Sequence, residues 1–519
     1  MRLLRSAKEA APVAPNVSSP PKFVLSFDKN IPDDVILDIF EYLFTPELLA
    51  LCLVSRRLHT LILPSIYRTI ELKSNQQCRL MIKSLANRPE LSEYIRTLIL
   101  HPNRPSPWAG LGSEKPLKES ELAASIQKLA SSGRLPALTT FKWEGLEAPN
   151  DDLWLSLQKY CRCLRVIGTT VGLKTHTISP DSSLFSFQGL LGFSLTTQKS
   201  LRWSPFTESQ ELPERLWEML LMKCPDLEHL TLEGTCQMDQ LWDIRRVLSA
   251  RWPRLKSISI GGLSSHELIS DDEEMAVFYK AHPALERIQF LSGMYYSRTS
   301  MFYIPNLPYL RSFTGRIQQL RQAPDLPSLR SLDFTDWFSP SARFADILRF
   351  IPHVTSLSVS VNFLDSINKN SCIGLYERLL GAFPGLSNLE ISSTGPIILK
   401  DFSLALRHAP TLRSFTITRT RKLTEENMTT SAVRIANNNP HLLHFVIRDV
   451  TEWDHHDQLD GKCRFRQIGT YYLLADTESS LPRSLRIHET GVNRLGYRFT
   501  RSSTRELLRH IPTLLNDNS

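Results

Sequence analysis

The sequence predicts an α/β fold in two parts: a short helical segment near the N-terminus, then an irregular solenoid of strand–loop–helix units. Three observations carry this expectation. An eight-residue apolar pattern beginning with proline recurs at intervals of 19 to 32 residues. Amphipathic stretches fill the intervals. Residues 27–72 instead hold two apolar runs of helical period and no copy of the pattern.

The recurring pattern is Pro-x-Leu-x-x-Leu-x-Leu, with other apolar residues admitted for leucine. Clear copies are Pro225–Leu232 and Pro253–Ile260, and the pattern returns at Pro283, Pro308, Pro327, Pro352, Pro384, Pro410 and Pro440. Weaker copies start at Pro136, at Arg162 and at Gln188, where arginine and glutamine stand for the proline. Ile95–Leu100 reads as a first, atypical copy. The terminal Leu-x-Leu alternates with period two, which makes a short strand aiming both leucines into a core. Leu216–Cys224, Ala345–Ile351 and Leu375–Phe383 read as helices, each stopped by the proline that follows. A unit of this kind buries its apolar edge only by stacking on its neighbours, so the array is read as leucine-rich repeats. Ten residues beyond each proline from Pro225 to Pro440, only Asn362 supplies the asparagine usual in such repeats, so irregular loops are expected. The unit at Pro308 ends in Gly315 and reads as damaged.

The N-terminal helical segment has a recognisable start. Pro32 stands at the first turn, where its missing N–H costs nothing. Asp33 and Asp34 place negative charge at the helix N-terminus. Val35, Ile39 and Tyr42 or Leu43 share one side, while Ile36, Phe40 and Leu43 share the adjacent one. A second run, Leu48–Val54, follows Thr45-Pro46 and leads to Ser55-Arg-Arg-Leu58. So small a unit cannot bury all this apolar surface by itself, and the surplus is expected to meet a partner. Ile31-Pro32, Asp34-Val35-Ile36, Ile39-Phe40, Leu43, Leu48, Val54-Ser55-Arg56 and Leu58 resemble the F-box pattern in order and spacing. Leu63–Arg68 resembles the exit from F-boxes of fungal proteins. Leu58 departs from the family, where an aromatic stands.

The resemblance implies a substrate-recognition subunit of a Skp–cullin–F-box ubiquitin ligase. A Skp-type adaptor, and through it a cullin, would meet Ile31, Pro32, Val35, Ile36, Ile39, Phe40, Leu43, Leu48 and Val54, and the solenoid would bind an unknown protein substrate. Such a receptor performs no covalent chemistry; it raises the local concentration of its substrate. The alternative is an interaction scaffold with a vestigial F-box. Cys224-Pro225 to Cys236 also resembles the cysteine-containing repeats common in F-box proteins. The expected organisation is an arm at 1–26 that is too poor in apolar residues to order, an F-box at 27–72, a helical linker at 73–134 with the atypical first repeat, the solenoid at 135–490, and a cap or tail at 491–519.

Other chemistry is weakly represented. No Walker loop, dinucleotide-binding glycine motif or Gly-x-Ser-x-Gly elbow occurs. His266-Glu267 begins like a zinc-protease helix, but Ser270 occupies the place of the second histidine. Asp454–Asp457 with Asp460 and Cys463 reads as a solvated turn, so no metal or other cofactor is expected. The net charge of +8 is spread along the chain rather than clustered, which argues against nucleic acid. No membrane-length apolar run and no signal peptide are read. The eight cysteines include no CxxC pair and read as reduced thiols of a cytoplasmic or nuclear protein.

Two surfaces of the solenoid are candidates for the substrate. The positions between the inward leucines would line a concave sheet: His229, Thr231, Ser257, Ser259, Arg287, Gln289, Ser331, Asp333, Ser356, Ser358, Asn388, Glu390, Ser414 and Thr416. The loops after the strands carry Tyr295, Tyr296, Trp337, Phe338, Phe363 and Trp453, and aromatics tend to anchor interfaces. The expected substrate residues are Tyr296, Trp337, Phe338, Trp453, Arg287, Asp333 and Glu390.

Overall fold

In a computed structural model of the protein, the described residues are 31–43, 45–103, 115–171, 179–197, 212–234, 245–261, 272–291, 303–320, 326–338, 352–361, 369–393, 397–420, 428–439, 441–452, 464–475, 482–492 and 498–506. They fall into two compact units, divided after Arg68.

The first unit is helical: α1 (Asp33–Phe40), α2 (Thr45–Cys52) and α3 (Arg56–Arg68). Ser55 starts α3, its hydroxyl accepting from the Leu58 N–H at 3.2 Å, as an N-cap does. Arg57 then fastens α3 to the start of α1. Its Nη2 donates to the Ile31 carbonyl at 2.7 Å, and its guanidinium pairs with Asp33. Ile36, Phe40, Leu48 and Ile62 form the core of this unit, with Ile31, Leu43 and Leu58 packed against it.

Among the described residues, the second unit holds one sheet of seventeen strands. They are β1 (Thr69–Leu72), β2 (Thr97–Leu100), β3 (Thr140–Trp143), β4 (Val166–Val171), β5 (Gly192–Thr197), β6 (His229–Gly234), β7 (Ser257–Gly261), β8 (Arg287–Leu291), β9 (Ser312–Gly315), β10 (Ser331–Phe338), β11 (Ser356–Val361), β12 (Asn388–Ser393), β13 (Ser414–Thr420), β14 (His444–Glu452), β15 (Arg464–Ala475), β16 (Pro482–Val492) and β17 (Arg498–Glu506). Each strand pairs with the next in sequence. The pairing is parallel from β1 to β14. It turns antiparallel from β14 to β17. The sheet does not close, and helices occupy most of the crossovers between parallel strands.

A backbone device repeats at most of the parallel strand entrances. The residue before the proline accepts, through its carbonyl, the N–H of the first core residue three positions on, as at Trp252/Leu255 (2.9 Å), Phe383/Leu386 (3.0 Å) and Ala409/Leu412 (3.1 Å). Proline suits the second position of such a turn because its φ is already set and its N–H is not needed. Cys161 and Leu164 make the same bond at 3.0 Å with Arg162 in the proline's place. The next strand is then registered by its neighbour: the Arg330 carbonyl accepts from Thr355 (2.8 Å) and Ser356 (2.9 Å), and the Ser387 carbonyl from Arg413 (2.8 Å) and Ser414 (3.0 Å). Register is thus held at the strand entrance by main-chain atoms. The interval between prolines can vary without moving the sheet.

The inward positions are buried as their alternation requires; Leu227, Leu230 and Leu232 are at most 1% exposed. The residue before the turn is an additional core column. Ser92, Cys161, Cys224, Trp252, His282, Phe383, Ala409 and Asn439 occupy it, and all are buried. Several of these reach back to the preceding unit. Trp252 Nε1 donates to the Leu220 carbonyl at 3.0 Å, and Asn439 Nδ2 donates to the Ala409 carbonyl at 3.2 Å.

The sheet begins at Thr69, inside the segment assigned to the F-box, because Ile70 and Leu72 alternate with exposed Thr69 and Glu71. The expected helical linker carries α4 (Asn75–Asn87) and α5 (Glu119–Ser131), with β2 lying within the atypical first repeat expected at Ile95–Leu100. The strand–helix repeats stop at β14, and residues 464–475, 482–492 and 498–506 form antiparallel strands where a solenoid and then a cap were expected. Aromatic stacking marks this change: Phe415 lies on Phe445 at 4.9 Å, and Phe445 on Tyr471 at 4.7 Å. The unit at Pro308 is shortened rather than lost, since β9 pairs with both β8 and β10. The N-terminal arm and the Ala345–Ile351 helix lie outside the described residues.

Candidate functional site

In the helical unit, the structure separates the apolar residues of α1 into two sets. Ile36 and Phe40 point into the unit's own core, each 5% exposed, because they meet Ile62 of α3. Leu48 of α2 joins them, and Ile31 and Leu43 are half-buried against the same core. Val35 (44%), Ile39 (43%) and Val54 (69%) remain exposed, as does Pro32. Leu37, Tyr42, Leu49 and Leu53 are exposed too, although the sequence reading did not place them in the site. The signal for them was the apolar surplus itself: α1 and α2 carry more hydrophobic side chains than three short helices can enclose.

The second candidate is the sheet face opposite the buried leucines. Strand register arranges its residues in two rows. One row runs His229, Ser257, Arg287, Ser312, Ser331, Ser356, Asn388, Ser414 and His444. The other runs Lys142, Gly168, Ser194, Thr231, Ser259, Gln289, Thr314, Asp333, Ser358, Glu390 and Thr416. Asp333 and Glu390 therefore share a row two strands apart, about 10 Å, while Arg287 lies in the neighbouring row. The rows are polar and mostly short-chained, so a partner could approach the backbone closely.

Charge is unevenly spread over this face. Burial holds the His229 imidazole below its ordinary range, and the cations Lys256, Arg287 and Lys142 push it the same way against Glu228. Lys256 is bound to Glu228 at 2.7 Å. Towards the other end Glu390 faces Arg448 at 3.7 Å. Charges of both signs thus lie along the face, with Lys142 and Arg287 among β3–β8 and Asp333 and Glu390 among β10–β12.

The expected aromatic anchors fall largely outside the described residues. Tyr296, Trp453, Tyr295 and Phe363 lie outside the described residues. Trp337 and Phe338 were expected in a loop but belong to β10, paired with Ser360 and Val361. A register shift between Asp333 and Trp337 lengthens that strand and carries the pairing past the expected loop start. The positions of their side chains lie outside the described residues. The same is true of the His266-Glu267 and Asp454–Cys463 segments.

Little in the described residues resembles reaction chemistry. Burial pushes the Cys161 thiol up to about 12, with Cys163 adding to the shift, which suits a packing residue and not a nucleophile. His101 lies between Glu71 (Nε2 at 3.2 Å) and Glu144 (Nδ1 at 3.0 Å). The carboxylates meet opposite ring nitrogens, so one ion cannot be held by all three groups. Among the described residues no other trio of metal-binding side chains converges.

These features define a protein-interaction architecture: a small helical docking unit and a repeat sheet with an open polar face. Residues 29–73 match the F-box-like family, so the chain carries an F-box-like domain. Among curated proteins none matches the chain. Two solved structures are similar to it at low level. The leucine-rich-repeat protein LegL7 from Legionella pneumophila is 13% identical with a TM-score of 0.31, covering 54% of this chain and 90% of its own. The mouse RP105/MD-1 complex is 13% identical with a TM-score of 0.22, covering 60% of this chain and 58% of its own. The repeat architecture described above rests on strand register and turn geometry, independently of these likenesses. F-box and leucine-rich-repeat features are typical of non-enzymatic interaction modules.

Proposed function

We propose that this chain is a substrate-recognition subunit of a Skp–cullin–F-box ubiquitin ligase acting in the cytoplasm or nucleus. Its F-box-like domain engages a Skp-type adaptor, and its repeat sheet holds a protein substrate. The observation that carries this reading is the division of α1. The unit has closed its own core with Ile36, Phe40, Leu48 and Ile62, yet Val35 and Ile39 remain exposed on one helical stripe. An exposed apolar stripe on so small a unit is the mark of a surface that a partner covers. Burying each such side chain contributes about 1.5–3 kcal/mol, so the adaptor has a driving force without disturbing the core.

The test is co-purification of the full chain with a Skp-type adaptor. A Val35→Asp/Ile39→Asp variant changes only exposed positions. It should keep its fold and lose adaptor affinity by roughly a hundredfold or more. If the unaltered chain captures no adaptor, or the double variant captures it equally well, the ligase reading is overturned and a scaffold with a vestigial F-box takes its place.

A further inference from the structure

A groove lies on the helical side of the repeat unit, between α4 and α5. Arg79 Nη2 donates to the carbonyls of Lys115 (2.8 Å) and Pro116 (2.9 Å), just ahead of α5. Arg134 Nη1, just beyond α5, donates to the Ala86 carbonyl at 3.1 Å. These three bonds tie the two sides together at both ends and border a groove of about 890 Å³. The segment leading into α5 is fixed as one wall. Asn103 accepts the Leu117 N–H through Oδ1 (2.8 Å) and donates from Nδ2 to the Leu117 carbonyl (2.7 Å).

The floor and rim differ in chemistry. Ile82, Leu122 and Leu129 form an apolar floor. Of the charged side chains lining the groove, six are cationic and only Glu121 is acidic. Glu121 is already paired with Lys118 at 2.8 Å. Exposed Lys83 and Lys128 face across the groove with no carboxylate at ion-pair distance among the described residues. From Arg79 to Ala86 the wall of α4 is about 10 Å long, the length of about three extended residues.

We infer that this groove binds a short acidic peptide segment of a partner protein, with an apolar side chain on the floor and carboxylates against Lys83 and Lys128. A slot this short, closed at both ends and floored by aliphatic side chains, suits a peptide better than the long regular backbone of a nucleic acid. Neither lysine belongs to the F-box-like unit, so the inference does not rest on the ligase reading.

Fluorescence anisotropy on the full chain tests it, with a labelled hexapeptide alternating glutamate and leucine as the probe. The peptide should bind, its glutamine analogue should bind roughly tenfold more weakly or less, and added salt should loosen the acidic form. Lys83→Glu/Lys128→Glu changes exposed positions and should lower affinity roughly tenfold or more at an unchanged melting temperature. Ser125→Trp fills the groove while keeping both lysines, and should also abolish binding. Unchanged affinity in either variant overturns the site. Tighter binding of an oligothymidylate of equal charge overturns the peptide as its occupant.

Discussion

The backbone N–H of Trp252 donates to Nε2 of His282 at 3.0 Å, while Nδ1 of the same ring donates to the Phe278 carbonyl at 2.7 Å. Both rings are buried before consecutive turns, so one neutral imidazole ties two successive repeats together. Protonation of Nε2 would remove its acceptor and leave the Trp252 N–H without this partner.

This bond sets a pH dependence. Burial holds the His282 imidazole below its ordinary range, with Arg251 acting in the same direction and the Phe278 carbonyl opposing. The unfolded chain titrates near its ordinary value, about 6.5. The contribution to stability is therefore complete above that value and is lost as the pH falls from there through the folded value. Denaturant midpoints should fall between pH 7.5 and pH 5, and His282→Leu should flatten that slope while lowering stability at pH 7.5. An unchanged slope would show that the imidazole does not supply the dependence.

The division of α1 predicts opposite outcomes from adjacent residues. Phe40→Ala empties the core shared with Ile36, Leu48 and Ile62, at a cost of about 3–5 kcal/mol. Hydrogen exchange should then show loss of protection over residues 33–68. Ile39→Ala, one position away and 43% exposed, should leave that protection within experimental error. Equal effects would refute the assignment of faces.

Arg419 and Asp449 form a buried ion pair between β13 and β14, at 2.8 Å and with side chains 4% and 0% exposed. Arg419 also donates to the Ile397 carbonyl at 2.8 Å. Asp449→Ala strands the guanidinium without its carboxylate and should cost about 3–5 kcal/mol in thermal or chemical denaturation. A change below about 1 kcal/mol would mean that solvent reaches this pair.

Two glycines should respond to alanine in opposite directions. At Gly315 an added Cβ would lie 2.6 Å from Gln319 Oε1 and 2.6 Å from Phe313 Cζ. Phe313 is fully buried, and Gln319 Oε1 already accepts from the Arg316 N–H at 2.7 Å. Gly315→Ala should destabilise by about 1–3 kcal/mol. Gly374 lies within the helix Lys369–Gly381 with nothing within 4 Å of an added Cβ. Gly374→Ala should stabilise by up to about 1 kcal/mol. Reversed signs in denaturant titrations would contradict the packing described for both sites.

Much of the repeat sheet was legible in the sequence, because each strand announces itself through alternating residues such as Leu230 and Leu232. The two face rows were legible for the same reason: Arg287, Asp333 and Glu390 occupy the positions that alternation assigns. The column before the turn was not. Its residues range from Ser92 and Ala409 to Trp252 and His282, since each is chosen by the carbonyls and rings of the preceding repeat. Trp337 was misplaced because a register shift has no composition signature. The antiparallel strands beyond β14 were missed because their segments lack the full proline-led pattern by which the earlier strands were located; Pro482 opens β16, but no leucine follows it two positions on.

By itself, the sequence determined the period of the repeats, the inward positions of the strands and the F-box-like pattern of the first helices. These depend on spacing along one chain, and hydrophobic periodicity reports spacing directly. Only the tertiary structure decided which apolar residues of α1 serve the core and which remain for a partner. Both faces of that helix are apolar, so its own sequence favours neither. The choice falls to Ile62 and Leu48, which meet Ile36 and Phe40 and leave Val35 and Ile39 exposed.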